Sequence, residues 1–297
     1  MGPGHSRELG CRPGLAVACG RDPSPRADDA PAVGGDMRFD IQFNQGACGF
    51  AQMREAVIAA EEAGFGAVWN LDHFSGKPFG SDSMNECFSS LAAWAAVTST
   101  VGLGTLVANV MNRTAGLLAL NVATLDSISG GRFTLGVGAG AAPNTPFSAE
   151  QDALGIRLLP RMSDRHDRLV ETVGEVRRIL SPGRGPEFEG FPVMDRHVPT
   201  IVGVNSPALA RRAGENFDGI NVRFNHPDRA EFVRVARGAA GDRPFDVSVW
   251  DFFSPAMCDA DHPANTAFRS IGIDHVILLV QGAPDPAVVA GCARMLR

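Results

Sequence analysis

Short apolar runs alternate with longer segments of helical periodicity along most of the chain. Residues 38–43 alternate polar and apolar side chains as a strand does, and the apolar positions from Phe50 to Ala60 then fall three and four residues apart, as on one face of a helix. The same pattern recurs down the chain. It predicts strands at 38–43, 67–71, 101–108, 132–138, 199–204, 218–222, 245–250 and 275–280.

Helical segments separate most of these strands. They are predicted at 52–63, 86–99, 115–128, 164–180, 207–215, 227–239 and 286–296, with a shorter segment around 263–270. Strands that alternate with helices favour a parallel sheet with right-handed crossovers, and eight such units close a TIM (β/α)8 barrel of the α/β class. An open doubly wound sheet is the structural alternative.

Two regions interrupt the pattern. Residues 141–163 contain three prolines and no clear periodicity, so they predict a long loop after the fourth strand, on the barrel face where catalytic loops lie. Residues 1–36 are rich in Gly, Pro and Arg, and their apolar run is too short for a signal-peptide core. We expect 1–36 to be a disordered extension and 37–297 to be one folded domain.

Composition narrows the class of partner. The chain has 297 residues, and 27 Lys and Arg against 33 Asp and Glu give a net charge of -6. No basic field is available for nucleic acid or an anionic membrane, so we expect a small-molecule partner. The six cysteines lack CxxC spacing, which argues against a zinc site or a disulfide framework and favours reduced thiols in a cytoplasm.

The ends of two predicted strands carry candidate chemistry. Asp72 and His73 follow the second strand, where a histidine can give or take a proton; the alternative is a hydrogen-bonded structural histidine. Gly136, Gly138 and Gly140 leave the end of the fourth strand without side chains. A planar or phosphorylated ligand can then approach the backbone, although such glycines equally serve tight turns.

A third candidate lies after the fifth strand. Asn205, Ser206 and Pro207 begin a helix with a capping side chain and a proline at its first position, and such a helix start binds anions. An ordinary capped helix is the alternative. By contrast, we interpret the segment Ser129 to Arg132 as structural. Its glycines suit a turn before the strand, and Arg132 is expected to form an ion pair.

Other charged positions predict no chemistry. The mixed charges of 164–168 are interpreted as the solvated face of an amphipathic helix. No metal site is predicted, because four further histidines lack partners at metal-ligand spacing. These are His197, His226, His262 and His275.

Three blocks of sequence make a family resemblance specific. Residues 59–74, 101–109 and 124–140 resemble signature blocks of the luciferase-like monooxygenase superfamily, in the family's order, and 199–221 is similar to its later cofactor-side block. The resemblance implies a luciferase-like TIM barrel with a shortened C-terminal third. An Asp-His pair after the second strand is typical of members that use the deazaflavin coenzyme F420.

The resemblance also implies roles for individual residues. His73 would be the acid/base group, and Asp72 would contact the coenzyme. A non-proline cis peptide at Leu106–Val107 would form a bulge beneath the ring. The remaining coenzyme-side positions would be Asn109, Gly138, Ala139, Gly140, Asn144, Asn205 and Ser206.

The sequence departs from the family at several positions. Asn205 and Ser206 stand where the family usually has two glycines that hold the phosphate. In the family's sugar-phosphate dehydrogenases, a catalytic Glu stands at the position of Ala141 and an active-site Trp at the position of Lys77. A glucose-6-phosphate substrate is therefore not expected.

These observations lead to three hypotheses. The first is a coenzyme F420-dependent oxidoreductase that moves a hydride to or from a small organic substrate. The second is an FMN-dependent monooxygenase supplied with reduced flavin by a partner reductase. The third is a flavin-binding barrel without turnover. The family resemblance also implies a homodimer, with the helices at 86–99 and 115–128 as its contact surfaces.

Overall fold

The computed structural model describes residues 37–296, and within them strands and helices alternate as predicted. The predicted extension 1–36 lies outside the described residues. The strands are β1 Arg38–Gln42, β2 Ala67–Asn70, β3 Gly102–Thr105, β4 Ala108–Asn109, β5 Phe133–Gly138, β6 Thr200–Gly203, β7 Gly219–Arg223, β8 Asp246–Phe252 and β9 His275–Leu279. The helices are α1 Phe50–Ala63, α2 Cys87–Ala95, α3 Ala115–Ser129, α4 Ala149–Ala153, α5 Met162–Leu180, α6 Pro207–Asn216, α7 Arg229–Ala240, α8 Pro263–Ser270 and α9 Pro286–Ala290.

The strands form one closed parallel barrel. Their order is β3-β2-β1-β9-β8-β7-β6-β5-β4, and β3 also pairs with β5, which closes the sheet. Strand β1 pairs with β9 in a register that places Arg38 opposite His275. The predicted TIM barrel is therefore confirmed, and the open doubly wound alternative is wrong. Among helices of the described part of the chain, none is long and apolar enough to cross a membrane.

The predicted third strand is divided into β3 and β4 by the peptide bond Leu106–Val107, which is cis as predicted. Glycines of β5 make room for this segment. A Cβ atom on Gly136 would lie 2.0 Å from the Thr105 carbonyl oxygen, and one on Gly138 would lie 2.6 Å from Val107 Cγ2. The sequence left two interpretations of these glycines open, close approach of a ligand or a tight turn. In the structure the Cβ positions of Gly136 and Gly138 face the Thr105 carbonyl and Val107.

We expect Gly136→Ala to destabilise the fold. The added methyl meets backbone, which cannot rotate away, so the free energy of unfolding should fall by about 1–3 kcal/mol or more. Gly174→Ala, in the exposed middle of α5 with nothing near its Cβ, should instead raise it by about 0.5–1 kcal/mol. Urea unfolding of both variants checks this, and an unchanged midpoint for Gly136→Ala would contradict the packing described.

Helix α2 ends earlier than the predicted 86–99. The Arg132 guanidinium donates to the carbonyl oxygens of Ala95, Thr98 and Val101, and thereby binds the end of the helix. The structural role expected for Arg132 agrees with this arrangement, but the expected ion pairing is wrong. Its hydrogen-bond partners within 37–296 are backbone carbonyls and the Thr98 hydroxyl.

Two other predicted segments differ in detail. The loop predicted at 141–163 contains the short helix α4, whose five residues are too few to show helical periodicity in sequence. The charge run 164–168 is not wholly solvated, because His166 is only 3% exposed and packs on the inner side of α5. Burial, with Arg212 and Arg165 nearby, lowers the pKa of His166.

A network of charged groups closes the amino-terminal end of the barrel. His275 is buried with Nε2 3.4 Å from Asp40 Oδ2 and Nδ1 3.1 Å from Asp246 Oδ1, and Arg38 contacts both carboxylates. Trp69 also donates its indole N–H to Asp40 at 2.9 Å. Ion pairs therefore stabilise this end of the barrel, which is the end away from the carboxyl ends of the strands.

The network predicts a dependence of stability on acid pH. Burial alone raises the pKa of Asp246, but His275, Arg38 and Arg237 outweigh burial and lower it to about 2. The pKa of an aspartate in the unfolded chain is about 3.9. Because folding lowers this pKa, the ionised Asp246 carboxylate stabilises the fold above about pH 4, and this contribution is lost as the pH falls through about 2. Urea unfolding over this window should show a shallower pH slope for Asp246→Asn. Equal slopes would contradict the assignment.

Candidate active site

The carboxyl ends of all the strands lie at the same end of the barrel, because the strands are parallel. Asp72 and His73 follow β2, Asn109 ends β4, Gly138 ends β5, and Asn205 follows β6. The structure thus brings the sequence-predicted residues to one barrel mouth. Their role in binding a coenzyme stays a prediction.

Asp72 anchors this mouth through a buried ion pair with Arg113. The two carboxylate oxygens of Asp72 each lie 2.7 Å from a guanidinium nitrogen of Arg113. The backbone N–H of Asn109 and the side chain of Asn112 also donate to Asp72. Asp72 therefore joins the ends of β2 and β4. The carboxylate is 1% exposed, and its contact with a coenzyme stays a prediction.

Arg113 is buried, with a side chain that is 6% exposed. Its guanidinium also donates to Glu86 at 2.8 Å and lies over the Phe88 ring, 4.7 Å from the centroid. Burial alone lowers the pKa of Arg113, but its hydrogen bonds to Asp72 and Glu86 outweigh burial and raise the pKa above its ordinary value. The charge of Arg113 is thus permanently present to balance Asp72.

His73 stands beside this ion pair and is partly open to solvent, with its side chain 27% exposed. Its Nδ1 atom lies 2.8 Å from Glu150 Oε1, and its ring meets the edge of Phe79 at a centroid distance of 4.8 Å. Among the described residues, Nε2 has no hydrogen-bond partner. The imidazole is therefore held at one nitrogen and free to exchange a proton at the other.

Glu150 is the site residue that the sequence interpretation missed. It lies on α4, and its second oxygen accepts hydrogen bonds from the backbone N–H groups of Phe74 at 2.9 Å and Ser75 at 3.0 Å. Burial alone raises the pKa of Glu150, but His73 and these N–H groups outweigh burial and lower it. A lone acid in a segment without periodicity gives no sequence signal for such a contact.

An apolar floor lies below the mouth, inside the barrel. Leu106 packs there with Trp69, Ile201 and Ile277, and Val107 and Trp250 lie against them. Gln42 fixes two of these groups, because it accepts the Trp250 indole N–H at 2.6 Å and donates to the Leu106 carbonyl at 2.8 Å. Leu106 and Val107, on either side of the cis peptide bond, thus belong to this packed cluster, and the bulge beneath a ring stays a prediction. Gln42 and Trp250 were not predicted, since a strand pattern does not show which inward side chains meet.

The glycine-rich turn after β5 lies next to β4. A Cβ atom on Gly140, where φ is +75°, would come 2.7 Å from Asn109 Oδ1, which itself accepts the Met111 backbone N–H. Ala139 is half-buried, and Asn144 adopts a φ of +60°. These residues follow β5, which pairs with β6, the strand that leads into α6.

Helix α6 begins at the mouth, as predicted. Ser206 Oγ accepts the backbone N–H of Leu209 at 3.3 Å, and Pro207 occupies the first helical position. Asn205 is exposed beside it. The capped helix is confirmed, and anion binding there stays a prediction. Over residues 37–296, the structure shows no group of three or more His, Cys, Asp or Glu placed to hold a metal ion.

Comparisons with known proteins agree with this geometry. The family model described as luciferase-like monooxygenase matches residues 37–277. A 5,10-methylenetetrahydromethanopterin reductase from Methanolobus tindarius is 30% identical over 234 residues, which cover 76% of this chain and 66% of the relative. An F420-dependent glucose-6-phosphate dehydrogenase from Nakamurella multipartita is 32% identical over 196 residues, covering 62% and 55%. The chain thus spans just under two thirds of the reductase and about half of the dehydrogenase.

Solved structures share the fold. An F420-dependent secondary alcohol dehydrogenase in complex with an F420-acetone adduct superposes with a TM-score of 0.69 at 21% identity, covering 88% of this chain and 100% of that one. At this identity, the likeness concerns the fold alone.

Proposed function

The chain belongs to the luciferase-like monooxygenase family, and on this premise we propose that it is a coenzyme F420-dependent oxidoreductase that transfers a hydride between the deazaflavin and a small organic substrate. Relatives named as F420-dependent enzymes support the choice of coenzyme. The observation that carries the proposal is His73, held at Nδ1 and without a described partner at Nε2, at the edge of the barrel mouth.

The residues of the mouth fit a flat tricyclic ring with a phosphorylated tail. Leu106 and Val107 offer an apolar surface that can support a ring, and Gly140 keeps the neighbouring turn free of a side chain. Ser206 and the first N–H groups of α6 suit a phosphate, with Asn205 as an additional donor in place of the family's glycine. We propose that these residues hold the coenzyme, together with Asn109, Gly138, Ala139 and Asn144.

When bound, deazaflavin supplies a ring carbon that accepts or donates a hydride. The chain's residues supply the rest. His73 takes or gives the proton at Nε2 that accompanies conversion between an alcohol or amine and its oxidised form. Asp72 and Arg113 fix the loop that follows β2 and so fix the position of His73. The floor of Leu106 and Trp250 excludes water from below the ring.

We further propose a homodimer and a cytoplasmic location. Helices α2 and α3 border a groove of about 520 Å³ that includes Phe88, Leu117 and Leu120, and Leu117 and Ile128 of α3 are about half exposed. Apolar side chains on adjacent helices suit a contact with a second copy. The location rests on cysteine spacing that argues against a disulfide framework.

A side-by-side fluorescence titration with coenzyme F420 and FMN, each oxidised and reduced, tests the proposal. We expect saturable binding of F420 in preference to FMN, followed by oxygen-independent turnover in a screen of small alcohols, amines and imines. Preference for FMN would replace the proposal with a monooxygenase that needs a partner flavin reductase. Binding of neither would favour a barrel without turnover.

A further inference from the structure

Glu150 spans two parts of the mouth that are far apart in sequence. It lies on α4, in the segment between β5 and α5, and contacts the chain just after β2. One oxygen faces His73 Nδ1 at 2.8 Å, and the other accepts the N–H groups of Phe74 and Ser75. Its side chain is 5% exposed. A buried carboxylate with both oxygens engaged fixes the groups around it, because any displacement would leave its charge unpaired.

The contact determines which nitrogen of His73 carries a proton. An ionised carboxylate only accepts hydrogen bonds, so Nδ1 must be the donor, and in the neutral imidazole Nε2 is then the acceptor. The other charged groups nearby do not compete for this position. Asp72 is bound by Arg113, and Arg113 by Glu86, so both are engaged away from the ring. The Phe79 edge supplies an apolar contact.

A second connection ties the same helix to Asp72. Gln151 donates to Glu150 Oε1 at 3.2 Å and to Asn112 Oδ1 at 3.0 Å, and Asn112 in turn donates to the Asp72 carbonyl at 3.2 Å. Gln151 is 2% exposed, so these bonds lie inside the protein. Seating of α4 against the barrel is thus linked to both residues of the Asp-His pair.

We propose that Glu150 is the positioning residue of His73, which holds the imidazole with Nδ1 protonated and directs Nε2 to the reacting groups, so that α4 completes the active site when it is seated. The role rests on the proposed function, since it serves a proton transfer at His73. Glu150 acts through His73 and touches neither substrate nor coenzyme.

Kinetics of Glu150→Gln test the role. Glutamine keeps the size of the side chain and removes the charge that favours the imidazolium. We expect kcat to fall about tenfold to hundredfold with KM nearly unchanged, as for other residues that orient a functional histidine. Glu150→Asp, which keeps the carboxylate, should restore part of the loss.

Asp152→Asn is the matched control, because Asp152 lies on the same helix, is exposed and contacts Ser148. It should leave kcat unchanged. A merely structural role for Glu150 would lower stability or raise KM and leave the kcat of the folded enzyme unchanged. An unchanged kcat in Glu150→Gln would therefore overturn the proposal.

A second measurement needs neither coenzyme nor activity. The 15N chemical shifts of the His73 ring, assigned by their absence from His73→Asn, report its tautomer in the unsubstituted full-length chain. We expect the Nδ1-protonated form. The Nε2-protonated form would overturn the role of Glu150 even if the chain is an F420 enzyme. Even if no F420 activity is found, the tautomer shows whether Glu150 sets the protonated nitrogen of His73. This result is independent of the proposed function.

Discussion

His73→Asn lowers kcat for F420-dependent turnover by a factor of about 10² to 10⁴, the range that positioned acid/base groups contribute. Asparagine retains hydrogen-bonding groups beside Glu150 but cannot exchange a proton near neutral pH. Because His73 is partly exposed and only its ring is removed, coenzyme affinity should change little. Steady-state kinetics and a fluorescence titration of the same preparation separate the two effects.

His197→Asn is the control for this substitution. His197 is 59% exposed, pairs with Asp218 and precedes β6, at the amino-terminal end of the barrel. Its replacement should leave kcat within about twofold, since exposed pairs contribute little. Unchanged turnover in His73→Asn would remove the proposed proton carrier and contradict the mechanism.

Arg113→Met destabilises the fold by about 3–5 kcal/mol, because it leaves the buried Asp72 carboxylate without its counterion. The midpoint of thermal unfolding should fall by roughly 6–20 °C for a domain of this size. Pairing the change with Asp72→Asn removes the unpaired charge, so the double variant should regain part of the loss. Urea unfolding of the single and double variants measures both effects.

Arg234→Met provides the comparison, because Arg234 is 71% exposed and pairs with Glu231 one helical turn away. Its loss should change the free energy of unfolding by no more than about 0.5 kcal/mol. Equal effects for Arg113→Met and Arg234→Met would show that the Asp72 pair is not the buried anchor described here.

Much of the fold could be predicted because its periodicity is local. Strands that are buried on both faces and helices with one apolar face leave regular patterns, so the barrel order and most boundaries were recovered. The early end of helix α2 was not predicted, because Arg132, more than thirty residues away along the chain, binds the carbonyl of its last residue, Ala95, and that of Val101 beyond it. Helix α4 was missed because five residues span little more than one turn.

The sequence pointed to His73 because it follows a predicted strand, whose carboxyl end faces the barrel mouth, and to Asn109 through the family resemblance. The roles of both residues stay predictions. Glu150, Gln42 and Trp250 were missed because their roles depend on contacts between distant segments. The role of the β5 glycines was left open between a ligand and a turn, because sequence cannot show that the Thr105 carbonyl and Val107 lie against them.

The distance from His73 Nε2 to the reacting ring carbon in a crystal structure of the chain with coenzyme F420 tests the central claim most directly. We expect the ring to lie on Leu106 and Val107. The reacting carbon should be close enough to His73 for one substrate molecule to exchange a hydride with the ring and a proton with His73. A coenzyme bound away from the carboxyl ends of the strands, or with the reacting edge turned from His73, would contradict the account.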